Sequence, residues 1–356
     1  MNKRPRKVNL ADVARAANVS VSTVSRLMTG KTAIAPSRRE RILKAAVRLG
    51  FDLEKSNRSR IVAFVLSNRG LLHPFHSSVL MGSEAYCAEH SYGVLFLPFR
   101  YSSRIPSRDL HLPEILQRRQ LISGAIVAGT NSQNLLDLLA RKGIPTVVLG
   151  NNMIGEWRHE EASAVYFDDI GGAYELTRYL QSLGHRSIGF VGNRQLPWYA
   201  RRYEGYRRAM EEAHLEVCVG EVKSTDDEEI GYLATKLILQ RAALMTAIFA
   251  GDDAAACGVY KTARDAGLDI PGDISIAGFN DTPDASALHP PLTSVRVFTA
   301  QLGSQMAESL LERIVRPDLP PNVVTMPTQL IRRGSCGPVP VSPPRARPQL
   351  TPSRVS

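Results

Sequence analysis

The sequence has no run of 18 apolar residues, which excludes an ordinary membrane-spanning helix. Cysteine is scarce. Cys87, Cys218, Cys257 and Cys336 stand far apart with no CxxC pair, so neither a disulfide framework nor a cysteine zinc site is expected. The basic start Met1–Lys7 is not followed by an apolar stretch, so no secretory signal is expected. The glycine-rich and nucleophile fingerprints GxGxxG, GxxxxGK(S/T) and GxSxG are all missing, and an enzyme is not expected. No cofactor is implied. The stretch 338–356 has no leucine heptad. It holds six prolines, from Pro338 to Pro352, and three arginines, the composition of an extended or disordered tail.

What is present is ordinary globular material, 44% apolar and 22% charged over 356 residues, enough for more than one domain. The net charge of +10 is unevenly spread. Residues 1–60 carry 15 Lys and Arg against 4 acids, whereas residues 61–337 carry 26 against 30. A basic head on a near-neutral body is the footprint of a nucleic-acid binder. A basic arm for a membrane surface or an acidic protein remains the alternative.

Within the head, spacing predicts three helices. Leu10–Ala17 places Leu10, Val13, Ala14 and Ala17 on one stripe, and Asn18-Val19 makes a turn. Ser20 caps a second helix, Val21–Met28, with Val24, Leu27 and Met28 on its inner face. Pro36 opens a third helix that ends at Leu49, with Gly50 beyond it. Helix, short turn, helix with a polar outer face is a helix-turn-helix arrangement. In a major groove, Arg26 can reach a guanine edge, Ser22 a base, and Val21 a thymine methyl. Asn9, Thr23, Ser25 and Thr29 suit phosphate contacts. A small helical bundle with merely solvated basic residues is the alternative.

The run Val8-Asn-Leu-Ala-Asp-Val-Ala-Arg-Ala-Ala-Asn-Val-Ser-Val-Ser-Thr-Val-Ser-Arg closely resembles the LacI/GalR family of bacterial repressors. The resemblance implies that Val21, Ser22 and Arg26 read bases. Asn18 stands where the family has Gly, and Asn tolerates the left-handed turn. The linker 51–60 departs further. The resemblance implies a hinge helix whose leucine wedges into the minor groove. Phe-Asp-Leu-Glu-Lys-Ser-Asn-Arg-Ser-Arg is short and lacks that leucine, so weak DNA kinking is expected.

Beyond Ile61, short apolar runs alternate with helical patterns. Strands are expected at 61–66, 94–97, 125–128, 146–149, 164–167, 188–191, 247–250 and 274–278, an α/β class with parallel sheets. Arg186-Ser-Ile-Gly-Phe-Val-Gly, Thr246-Ala-Ile-Phe-Ala-Gly-Asp-Asp and Ile274-Ser-Ile-Ala-Gly-Phe-Asn-Asp-Thr are similar to the family's core strands. That implies a type I periplasmic-binding-protein-like core of two α/β subdomains closing on a small molecule. The expected organisation is a DNA-binding domain 1–50, a linker 51–60, a core 61–337 and the tail 338–356. Within the core, an N-subdomain takes about 61–165 and 293–322, and a C-subdomain about 166–290 and 323–337.

Arg202, three residues before Gly205, matches the family's effector-contacting arginine and suits bidentate recognition. Asp252 and Asn280 exchange the amide and acid that the family carries at those positions, so the pair keeps its hydrogen-bonding capacity with an altered ligand class. Trp198 and Tyr199 are expected near the cleft mouth. Phe75, with His73 and His76, follows the first strand, where family effector contacts occur. His73 and His76 could bind a metal, but no third ligand is apparent from spacing and no metal site is expected. Asp226-Asp-Glu-Glu is expected to be the charged start of a helix. The expected partners are double-stranded, near-palindromic operator DNA, a small-molecule effector such as a sugar, and a second copy of the chain, with no membrane. A cytoplasmic, nucleoid-associated repressor follows. A sequence-blind DNA-binding protein and an α/β binding or enzymatic domain without regulatory DNA binding are the competing classes. Sequence-independent binding or turnover of a ligand would reveal them.

Overall fold

The structure, a computed structural model, describes residues 8–29, 34–51, 59–70, 73–118, 120–241 and 245–339. Most of the expected linker (52–58) and tail (340–356) lies outside these residues, as do the side chains of Met28 and Thr29.

The head contains α1 (Leu10–Ala16), α2 (Val21–Thr29) and α3 (Pro36–Leu49). Asn9 caps α1 reciprocally with Asp12, each side chain accepting from the other's backbone N–H. Asn18 sits at φ 49, the left-handed turn anticipated for it. The Ser20 hydroxyl accepts from the Thr23 N–H at 3.2 Å and starts α2. Gly50 ends α3 at φ 64. Val13, Ala14, Ala17, Val24, Ile42, Ala45 and Ala46 form a small separate core.

The body holds two six-stranded sheets. The first runs β13(Val323–Met326)-β7(Ser163–Phe167)-β5(Thr146–Leu149)-β3(Gly124–Gly129)-β1(Ile61–Ser67)-β2(Gly93–Phe99), all parallel. The second runs β14(Gln329–Ile331)-β12(Thr293–Arg296)-β11(Ser275–Asn280)-β10(Ala247–Ala250)-β8(Ile188–Val191)-β9(Cys218–Gly220), parallel except for β12 against β14. A two-stranded ladder joins β4 (Asn131–Ser132) to β6 (Met153–Ile154). Central strands are buried along their whole length, which is why they read as continuous apolar runs. Helices cover both sheets. The pair Pro74–Glu89 and Thr299–Val315 packs so closely that a Cβ on Gly303 would lie 2.0 Å from the Val79 carbonyl oxygen.

Sheet membership corrects the expected subdomain limits. Tyr166 and Phe167 complete β7 of the first sheet rather than opening the second half. β12, assigned above to the N-subdomain, pairs with β11 in the second sheet, and β13, assigned to the C-subdomain, pairs with β7 in the first. The chain therefore passes between sheets after Phe167, after Arg296 and after Met326. Strands β4, β6, β9, β12, β13 and β14 are not among the expected strands.

Candidate functional site

The first candidate surface is α2. Val21, Ser22, Ser25 and Arg26 are exposed, with Val21 46% accessible, while Val24 on the opposite side is fully buried. An apolar side chain left in water on a helix whose other side is packed is available to a thymine methyl. Thr23 is half-buried and its hydroxyl pairs with Ser20 at 2.8 Å. Asn9 is exposed, but its Oδ1 serves the α1 cap. Thr29 falls outside the described side chains.

The second lies between the sheets. Parallel strands deliver their loops to one end, so the carboxyl ends of two facing sheets form a cleft. Arg69, His73, Phe75 and His76 follow β1, Asn152 follows β5, and Phe167 ends β7. From the other side, Trp198 and Arg202 lie on the helix Pro197–Glu212 after β8, Asp252 follows β10, and Asn280 ends β11. These ten residues enclose a cavity of about 20 Å³. All six expected effector contacts, Phe75, His76, Trp198, Arg202, Asp252 and Asn280, are among them.

Arg202 is 2% exposed and organises the floor. Its Nη1 donates to the Gly251 carbonyl at 2.6 Å and lies 3.4 Å from Asp252 Oδ2, while Nη2 donates to Asn280 Oδ1 at 2.8 Å. Asn280 Nδ2 in turn donates to Asp252 Oδ2 at 2.7 Å. The ring of Phe279 lies under the guanidinium, 4.1 Å from Cζ. The exchanged acid and amide are thus direct partners, and one arginine holds both. Asp252 also caps the helix Asp253–Asp265, its Oδ1 accepting from the Ala254 N–H at 2.9 Å. Asn280 occupies φ 110, a conformation rare outside glycine.

Burial sets the protonation of neighbouring groups. It holds His76 at a pKa of about 3, helped by His73 and Arg69, so its imidazole is neutral near pH 7. Burial, then the charge of Asp252, pushes the Asp227 carboxyl up to about 6. The same two causes push the fully buried Asp253 up to about 8, against hydrogen bonds from Ser294 and the Thr282 N–H.

Two expectations need correction. Tyr199 is fully buried and does not line the cleft, because its hydroxyl donates to Asp227 Oδ1 at 2.9 Å from beneath. Asp227 does begin the acidic first turn of the helix Asp227–Arg241, yet it is 8% exposed and turned to the cleft, where it meets His73 and Asp252. A third group beside the histidines therefore exists, far away in sequence. Arg69 was also missed. It leaves β1, crosses to the opposite wall, sits 4.0 Å over the Trp198 ring and approaches Asp227 Oδ2 to 3.7 Å. No spacing signal marks it.

Residues 9–52 match the description "Bacterial regulatory proteins, lacI family", and residues 177–336 match "Periplasmic binding protein-like domain". The chain is 30% identical over 318 residues to the ribose operon repressor of Haemophilus influenzae, covering 87% of this chain and 92% of that one. Its structure is similar to a complex of transcriptional regulator CelR with cellobiose, with a TM-score of 0.69, 28% identity, and coverage of 92% and 100%. The lac repressor dimer bound to operator and the anti-inducer ONPF shares the fold at a TM-score of 0.65 and 20% identity, with coverage of 93% and 99%. The chain belongs to the lacI family of bacterial regulatory proteins, as a DNA-binding transcriptional regulator with a helix-turn-helix head and an effector-binding, periplasmic-binding-protein-like core.

Proposed function

We propose that the protein is a dimeric repressor of a near-palindromic operator, and that a sugar or related polyhydroxylated metabolite controls its affinity for that operator. Arg26, Ser22 and Val21 read base edges, and Asn9, Thr23, Ser25 and Thr29 touch phosphates. Phe75, His76, Trp198, Arg202, Asp252 and Asn280 contact the effector. The protein works in the cytoplasm on nucleoid DNA, and its cleft binds without turnover.

The observation that carries this reading is the cleft itself. At about 20 Å³ it is far smaller than the roughly 300 Å³ of the smallest ordinary ligand pockets, and Arg69 spans it. A metabolite that reaches the Arg202 floor must part the two walls there, so its binding and the subdomain geometry are coupled. A coupling of ~1–3 kcal/mol between cleft and DNA head suffices for regulation. Neutral hydroxyls suit the site better than an anion. Both Nη atoms of Arg202 are already engaged within the protein, and Asp252 adds negative charge. The lac repressor dimer bound to operator supports the two-fold arrangement, and the CelR complex with cellobiose supports the ligand class.

The test is selection of binding sites from random DNA with the full-length protein, with and without a panel of sugars and nucleosides. A palindromic consensus whose recovery changes with one metabolite is expected. Binding that ignores sequence at physiological salt would favour the sequence-blind alternative.

A further inference from the structure

We infer that His73, Asp227 and Asp252 form a chelating site for one divalent transition cation of the zinc class, built across the two subdomains. Each side chain offers one ligand atom, and the three atoms lie within 4.8 Å of one another. His73 comes from the loop after β1 of the first sheet. Asp227 and Asp252 come from helix starts of the second. The two carboxylates are oriented by bonds from behind, Tyr199 Oη to Asp227 at 2.9 Å and the Ala254 N–H to Asp252 at 2.9 Å, while the Phe75 N–H donates to His73 Nδ1 at 3.3 Å and must release it for that nitrogen to bind metal. Such outer partners hold metal ligands in place.

A second observation lies beside the three ligands, at the same cavity. His76 is 4% exposed, its ring lies 5.8 Å from that of His73, and its buried Nδ1 has no hydrogen-bond partner. An orphaned buried nitrogen on a neutral imidazole calls for an occupant. His76 and His73 line both the small cavity and an adjoining one of about 330 Å³ that Asp227 also borders. That cavity gives an entry path and leaves further coordination positions to water or ligand.

The electrostatics agree. Two buried carboxylates face one another. Asp252 already has Arg202 at 3.4 Å, whereas Asp227 Oδ2 has Arg69 at 3.7 Å, too long for a hydrogen bond. A coordinated cation replaces that weak contact, and Arg69 remains on the Trp198 face. Mixed imidazole and carboxylate donors favour Zn²⁺, Co²⁺ or Ni²⁺ over Mg²⁺ or Ca²⁺. Metal–ligand distances of ~2.1 Å require ligand atoms about 3.4 Å apart, so the site contracts by about an ångström and His73 gives up its long bond from Phe75. Chelation thereby clamps the two subdomains together.

The test uses the metal-free full-length protein and the ion alone. Calorimetric titration with Zn²⁺ should show about one ion per chain, and Co²⁺ should give visible absorption of an inner-sphere site. His73→Ala and Asp227→Asn, each checked for folding by circular dichroism, should each weaken Zn²⁺ binding by about 10-fold or more. Absence of Zn²⁺ binding, or unchanged affinity in either variant, overturns the site. Effector binding is scored separately with a chelator present, so failure here and failure of the effector reading are distinguishable.

Discussion

Exchanging Asp252 and Asn280 probes the cleft floor. Asn280→Asp alone would set two carboxylates against each other where Asn280 Nδ2 now lies 2.7 Å from Asp252 Oδ2. At an effective dielectric of about 20 their repulsion is ~6 kcal/mol, more than the ~4 kcal/mol needed to protonate one of them at pH 7. One acid therefore takes up a proton, and the single variant loses up to about 4 kcal/mol at pH 7 and progressively less toward pH 4. Asp252→Asn alone leaves the buried Arg202 guanidinium without its carboxylate. The cost is about 3 kcal/mol, the low end for breaking a buried pair, because Gly251 O and Asn280 Oδ1 still accept from it. In the double exchange an acid at position 280 accepts directly from Arg202 Nη2, and an amide at 252 donates to that acid. Every partner is restored except the long Arg202 Nη1 contact to position 252, where Gly251 O still accepts from that atom, and stability should return to within about 1 kcal/mol of the starting protein. Urea unfolding of all four proteins at pH 7 measures the coupling, expected to exceed ~2 kcal/mol. Additive single effects would refute the shared network.

Arg26→Ala should lose ~1–3 kcal/mol of operator affinity and relax specificity at one base pair while circular dichroism is unchanged, read by gel shift on the selected site and its point variants. Gly303→Ala should lower stability by ~1–3 kcal/mol, because the added methyl meets the Val79 carbonyl and must push two helices apart; an unchanged melting temperature would contradict that contact. Asp253 loses its proton near pH 8 when folded and near 4 when unfolded, so the unfolded chain binds fewer protons between these values and stability falls as pH rises through that window. Asp253→Asn titrates in neither state, and its urea midpoint should vary less from pH 5 to 8; parallel curves would count against the buried acid. DNA bending by the bound protein should be slight, since the linker 51–60 lacks a wedge leucine; a sharp central kink in a bending assay would oppose this.

The head was legible almost residue by residue because its signals are local: a cap at Ser20, a left-handed Asn18, Pro36 and Gly50 at the ends of one helix. Central strands were legible for a similar reason, being buried on both faces. The short β13 and β14, at sheet edges, alternate exposed and half-buried residues, a pattern too brief to stand out from loop. Six cleft residues could be named from motifs, but Arg69 and Asp227 could not. Their meeting depends on two sheets facing each other, and no periodicity encodes that. Trp198 and Tyr199 show the same limit, since adjacent positions on one helix turn to the cleft and to the interior.

The three passages of the chain between the sheets determine how the molecule can be assembled and taken apart. Neither half is a contiguous piece. A fragment ending at Phe167 lacks β13 and the helix Thr299–Val315, so it bares one sheet edge and the helix face around Val79. Ribosomal synthesis must pass Met326 before the first sheet has all its strands, and Ile331 before the second has. Partial products therefore carry open edges of the kind that recruit other chains. Two fragments divided at the first passage should each be insoluble alone and recover folding only by association, which makes the body one inheritable unit despite its two halves.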